Sequence, residues 1–183
     1  VAQSRPRKQL MAATKSNACQ YSMVFWDEML AKVGEEFPDV KASKCHVDAL
    51  AAQFVLRPEA LDVVVASNLF GDILTDLGGA LQGGLGIPAS ANLNPEKRYP
   101  SMFEPVHGSA PDIAGRGLAN PIAAIWAGAS MLEFLGEKSA ADAVLSAMEA
   151  VTAEGKVVTP DLGGRASTDE MAAEIAAKLR ANA

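Results

Sequence analysis

The chain has 183 residues, 49% of them hydrophobic and 21% charged, with a formal net charge of −6 and two cysteines. That length can bury a sizeable core in one domain or two lobes, and the acidic balance argues against a nucleic-acid binder. The longest apolar run, residues 121–135, is interrupted by Gly128, Ser130 and Glu133 and is too short to span a bilayer, so no membrane partner is expected.

The chain opens on Val rather than Met, and "VAQSRPRKQLMAA" reads as the tail of one element followed by a strand, as if it began inside a larger protein. The basic "RPRK" at 5–8 is too short for a nucleic-acid footprint and reads as a solvated link. "KQLMAAT" (8–14) is a predicted strand. "CQYSMVFWDEMLAKVGEEF" (19–37) has helical spacing, with Tyr21, Val24, Phe25, Met29 and Leu30 on one side. "VKASKCHV" (40–47) alternates as a strand does, and "DALAAQFVLR" (48–57) returns to helix and stops before Pro58. "LDVVVAS" (61–67) is a short β-branched run of the kind buried in a parallel sheet. The helix "NLFGDILTDLGGAL" (68–81) follows, with Ile73, Leu74, Leu77 and Leu81 on one side. From 83 to 120 the texture turns to Gly, Pro and Asn and reads as loop. Three helical patterns close the chain, at 121–135, 139–154 and 169–182. Strand–helix alternation of this kind predicts an α/β fold. Cys19 and Cys45 have neither metal nor disulfide spacing, which suits a reducing compartment and leads to the expectation of a cytoplasmic protein.

Asp72 and Asp76 stand four apart on the side of their helix opposite the leucines. Like charges at that spacing repel by a few tenths of a kcal/mol. Two readings stand. Either the acids answer the positive end of a helix capped by Ser67 or Asn68, or a cation such as Mg²⁺ or Mn²⁺ lies between them. Lys15 and Asp48 each follow the carboxyl end of a predicted strand, where α/β proteins place functional groups. Taken singly they read as a solvated lysine and a helix N-cap. Together with Asp72 and Asp76 they could converge on a cation and an anionic substrate.

The loop "HGSAPDIAGRGLAN" (107–120) is built of small residues and precedes a helix, so a ligand could approach its backbone, with an anion at the helix N-terminus. Within it Asp112 could accept from both hydroxyls of a ribose and would repel a 2′-phosphate, favouring NAD. The loop is not a Rossmann fingerprint, and an ordinary surface loop is the alternative reading.

"NLFGDILTDLGG", "FEPVHGSAPDIAGRGLANP" and "PDLGG" (160–164) resemble the signatures of the β-decarboxylating dehydrogenases: the isocitrate, 3-isopropylmalate and tartrate/D-malate enzymes. "TKSNA", "FWDE" and "NPEKRYPSMFEPVHG" are most similar to the tartrate/D-malate branch. The resemblance runs from about residue 8 onward and corresponds to roughly the C-terminal half of such an enzyme. It implies an isopropylmalate-dehydrogenase-like two-domain α/β fold. Residues 1–83 would be part of the substrate, metal and dimerisation domain, and residues 84–183 the C-terminal part of the NAD domain. It also implies an NAD-dependent oxidation of a small 2-hydroxy dicarboxylic acid, with Mg²⁺ or Mn²⁺, in a homodimer with shared active sites. Lys15 matches the lysine of proton transfer, and Asp48, Asp72 and Asp76 match the metal-binding aspartates. Lys15 and Asp48 would enter the neighbouring subunit's site. His107, Gly108, Ser109, Ala110, Pro111, Asp112, Ile113 and Asn120 match the adenosine-binding loop. The arginines that clamp substrate and the tyrosine that assists catalysis in such enzymes have no counterpart, so the chain alone is expected to be inactive. The alternatives are a 3-isopropylmalate dehydrogenase, a regulatory or assembly subunit of the same fold, and a nucleotide-binding module of other chemistry.

Overall fold

A computed structural model describes residues 1–181. The chain forms two compact units that divide between Gly78 and Gly79, ahead of the expected boundary at 83/84.

The first unit alternates β1 (Gln9–Thr14), α1 (Ser22–Gly34), β2 (Lys41–His46), α2 (Val47–Leu56), β3 (Val63–Val65) and most of α3 (Asn68–Leu81), whose last residues pass the division. The strands are parallel in the order β2-β1-β3, with Gln9 level with Lys41 and Leu10 level with Val63. β1 is central, and its small residues Ala12 and Ala13 are fully buried, leaving room for helices to close on the sheet. Successive side chains alternate between faces. Ala13 packs with Leu50 of α2 and Leu74 of α3, whereas Thr14 lies beside Asp27 of α1, so the helices cover opposite faces. This is an α/β arrangement, as expected. Its consequence for function is that Thr14, His46 and Val65 all end at one edge of the sheet.

Several local expectations change. The third strand is only Val63–Val65, because residues 58–60 form a 3-10 turn that feeds directly into it. "RPRK" is not a solvated link. The Arg7 guanidinium donates to the carbonyls of Glu59, Ala60 and Leu61, and Arg5 pairs with Asp62 at 3.0 Å, so the segment staples the turn before β3. On α1 the expected inner side is largely outward: Tyr21 is 93% and Phe25 61% exposed, and no residue of the helix is fully buried. β2 is an exposed edge whose lysines discourage pairing with foreign strands. α3 buries Leu74 but leaves Ile73 exposed, because the sheet meets only a narrow stripe of the helix.

The second unit contains a hairpin, β4 (Ala89–Asn92) and β5 (Met102–Pro105), and the helices α4 (Ile122–Leu135), α5 (Lys138–Glu154) and α6 (Thr168–Ala181). α5 packs between α4 and α6 over a core of Ile122, Met148, Val151, Val158, Met171 and Ile175. Gly136, at φ 98°, ends α4 in the left-handed conformation that a Cβ would resist. Ser167 and Glu170 cap α6 reciprocally: the Ser167 amide donates to the Glu170 carboxylate, and the Glu170 amide donates to Ser167 Oγ. The hairpin falls in the stretch whose sequence reads as loop. Its strands are four residues each, one ending on proline, and carry no run of alternating apolar residues. Phe103 places it, tilted against Phe134 of α4 at 5.7 Å between ring centroids. No helix among the described residues is long and apolar enough to cross a membrane.

Candidate active site

Lys15 follows β1, and its carbonyl accepts from the amides of Ala18 and Cys19, fixing the turn that carries it. Asp48 lies in the first turn of α2, one strand over; it is not the N-cap, a position held by His46. Parallel register sets Thr14 level with His46, so the residues just beyond the two strands emerge as neighbours. Lys15 Nζ donates to Asp48 Oδ1 at 2.8 Å. That bond, with the Asp48 and Ala49 amides at the helix start, holds the Asp48 carboxyl below the usual carboxylate range. The lysine side chain is 26% exposed and the aspartate 68%, so the pair opens to solvent on the Asp48 side.

Asp72 and Asp76 sit one turn apart on α3, both exposed. Ser67 Oγ caps this helix by accepting from the Phe70 amide at 3.4 Å, so the aspartates are not needed for that task. Among the described residues neither carboxylate enters an ion pair or side-chain hydrogen bond. Two free carboxylates on one helix face are hard oxygen donors of the kind that suits Mg²⁺ or Mn²⁺. Also among the described residues, no three Asp, Glu, His or Cys side chains come together in one chain as a metal-holding group. Within one chain, Asp48 therefore does not complete a set with Asp72 and Asp76.

Two neighbours of the Lys15–Asp48 pair were not singled out from the sequence. Asp27 of α1 is 10% exposed at its side chain and accepts from Lys44 Nζ of β2 at 2.6 Å. Burial alone would raise its carboxyl, but Lys44 and the hydroxyls of Thr14 and Ser16 outweigh that and hold it low. "FWDE" contributed only to the resemblance. A lone acid on a helix gives no sign in sequence that the helix turns it inward. Burial and the nearby Asp48 push the Cys45 thiol up, which disfavours the thiolate.

The second unit holds a separate cavity of about 700 Å³, within the range of small-molecule sites. His107, Gly108, Ser109, Ala110, Ile113 and Asn120 line it, and the expected loop residues are thus brought together. Pro111 and Asp112 do not line it; both are exposed on the adjoining turn. Ala110 takes φ 40°, left-handed for a residue with a Cβ, so the turn is held under local strain. His107 is exposed, and its Nδ1 donates to the Gly108 carbonyl at 2.9 Å. The expected anion seat at the start of α4 is already taken. The Ile122 amide donates to Asn120 Oδ1 at 2.9 Å, and the Ala123 amide donates to the Gly86 carbonyl.

Asn120 is 8% exposed, and its Nδ2 donates to Asp161 Oδ2 at 2.9 Å. Asp161 belongs to "PDLGG" and lines the same cavity, a role the motif alone did not assign. Gly86 closes this corner: a Cβ there would stand 3.0 Å from Asn120 Cβ and 3.1 Å from Asp161. Thr168 ties the loop from below, its amide donating to the Gly117 carbonyl and its hydroxyl to that of Ala119. No Lys or Arg lines the cavity, whereas Asp161 and Asp169 do.

Residues 1–175 match the model of the isocitrate/isopropylmalate dehydrogenase family. The chain belongs to that family. It is 56% identical over 177 residues to the decarboxylating D-malate dehydrogenase of Escherichia coli (94% of this chain, 49% of that protein). It is 54% identical over 185 residues to the tartrate dehydrogenase/decarboxylase of Pseudomonas putida (98% and 50%). The isocitrate dehydrogenase structure from Methylococcus capsulatus superposes at a TM-score of 0.88 with 41% identity, covering 95% of this chain and 51% of that one. The chain spans about half the length of the curated relatives it matches. The α/β fold of the isocitrate dehydrogenase type is thereby established, as is a kinship with 2-hydroxy-acid dehydrogenases.

Proposed function

We propose that the protein carrying this chain oxidises a small 2-hydroxy dicarboxylic acid such as D-malate or tartrate, using NAD⁺ and Mg²⁺ or Mn²⁺, with decarboxylation where the product allows it. The observation that carries this reading is the set of chemical groups after the three parallel strands. The Lys15–Asp48 pair follows β1 and β2, and two free carboxylates, Asp72 and Asp76, lie on the helix after β3.

When bound, the divalent cation would supply the charge that acidifies the substrate's 2-hydroxyl, and NAD⁺ the acceptor for the hydride leaving C2. Asp72 and Asp76 would hold the cation, with an Asp48 from a second copy completing the set. Lys15, kept in place by Asp48, exchanges protons with the substrate: it stands by the hydroxyl as hydride departs, and returns a proton to the carbon that loses CO₂. Such transfer needs the amine within hydrogen-bond reach of the reacting atom, and a lysine anchored at 2.8 Å to the first turn of α2 meets that need better than a free one.

The cavity beside His107–Asn120 suits the adenosine end of the cofactor. It is lined by small residues, and its acids Asp161 and Asp169 would repel a 2′-phosphate. Asp112 on the adjoining turn adds to that repulsion, which favours NAD over NADP. A second copy of the chain is supported by apolar side chains left outward on adjacent helices: Val55 (52% exposed) and Leu56 (76%) on α2, Leu69 (66%) and Ile73 (56%) on α3. The test is NADH formation by the full gene product with D-malate, tartrate and 3-isopropylmalate, with and without Mn²⁺. Turnover with D-malate or tartrate that a chelator abolishes is the expected result. Metal-independent turnover, or none with any of the three, overturns the proposal.

A further inference from the structure

Asp27 lies on neither of the elements that carry Lys15 and Asp48, yet it touches the supports of both. Its Oδ2 accepts from Lys44 Nζ at 2.6 Å, and Lys44 lies on β2, the strand that runs directly into Asp48. The hydroxyls of Thr14 and Ser16 stand beside the same carboxylate. These are the two residues flanking Lys15. Thr14 is fully enclosed, and the Asp27 side chain is nine-tenths buried. Asp27 Oδ1 and Thr14 Oγ1 are both buried without a well-formed hydrogen bond. Ser16, Asp27 and Lys44 together wall one cleft of this unit.

The Lys44 side chain is 56% exposed, and an ion pair open to solvent on one side adds little net stability. The Asp27–Lys44 pair is therefore better explained by what it holds in place than by what it adds to folding. The carboxylate bonds to Lys44 of β2 and lies beside Thr14 at the end of β1. The spacing between the ends of those strands is also the spacing between Lys15 and Asp48.

We propose that Asp27 is a positioning residue for Lys15: its carboxylate, bonded to Lys44 and flanked by Thr14 and Ser16, fixes the turn that brings the Lys15 amine to Asp48. The inference rests on the reading of Lys15 as the proton-transfer group only for its effect on turnover. The placement of the amine can be measured separately.

The test uses the full gene product with Asp27→Asn, which keeps the shape but removes the charge, and Ser16→Ala, which removes one hydroxyl from the turn. Acetylation of individual lysines by an amine-reactive ester, followed by peptide mass spectrometry, reads how firmly each amine is engaged. In Asp27→Asn, Lys15 should be acetylated at least threefold faster, with Lys138 unchanged. The kcat should fall at least tenfold while KM for NAD⁺ stays within twofold, and in a Lys15→Met background Asp27→Asn should cost less than a further twofold. Ser16→Ala should move Lys15 acetylation in the same direction, and it serves as the deciding variant if Asp27→Asn does not fold. Unchanged Lys15 acetylation in the deciding variant overturns the proposal, as does an equal loss of kcat with and without Lys15. Faster Lys15 acetylation in an enzyme that keeps full turnover as Lys15→Met upholds the positioning role and overturns the dehydrogenase role of Lys15 alone.

Discussion

A Cβ on Gly164 would overlap the carbonyl of Val158, whose oxygen accepts from the Ala166 amide as the chain doubles back before α6. Val158 is 4% exposed and belongs to the core of the second unit, so the crossing has no room to widen without disturbing Met171 and Ile175. Gly164→Ala should therefore destabilise the protein by about 2 kcal/mol or more. Urea unfolding should show a lower midpoint at unchanged slope. Alanine tolerated within 0.5 kcal/mol, on the order of a neutral surface change, would show that the crossing yields.

Mn²⁺ should bind the full gene product through Asp72 and Asp76. Neither carboxylate has another partner among the described residues, so removing one charge removes a ligand rather than a structural contact. Calorimetry should find at least tenfold weaker binding in Asp72→Asn, about 1.4 kcal/mol, with the melting temperature of the metal-free protein unchanged. Equal affinity would exclude a role for this carboxylate.

NAD should be preferred to NADP by kcat/KM in the full gene product. On the proposed reading the acids of the cavity would set this preference, and Asp112 would strengthen it from the rim. Asp112→Ser should narrow the preference several-fold without abolishing it, because Asp161 and Asp169 remain. A variant as selective as the parent would place the discrimination wholly inside the cavity.

Acid should weaken the first unit through Asp62. Burial alone would raise this carboxyl, but the Arg5 bond, the Gln9 amide and nearby Arg7 more than offset it and hold it below the ordinary 3.8. A carboxylate with a lowered native value stabilises the fold above its unfolded value, and loses that contribution as pH falls through the native one. Stability should hold above about pH 5 and decline below pH 4. Asp62→Asn should lower stability at neutral pH and flatten the acid limb, as a series of thermal melts would reveal.

Long periodic segments were legible in the sequence because one physical signal dominated each. α4 and α5 are read from apolar spacing, and β1 from a short apolar run. The hairpin was not legible: Phe103 earns its place by meeting Phe134, a contact thirty-one positions away that no local pattern announces. The site divides in the same way. Lys15 and Asp48 could be placed at strand ends, and parallel register brought them to 2.8 Å. The contribution of Asp27 depends on which side of α1 faces the sheet. The apolar side expected to face inward is the one that lies largely exposed, with Tyr21 at 93%. Asp161 became visible only through its bond to Asn120, forty-one residues earlier.

The division between Gly78 and Gly79 also separates two sets of residues along the gene. Every group proposed here for proton transfer or metal is encoded before that point, and every residue lining the cavity beside His107–Asn120 after it. A crossover between related genes at those two glycine codons would exchange one set whole and leave the other untouched. On the proposed roles, substrate range and cofactor choice would be free to diverge separately along one reading frame.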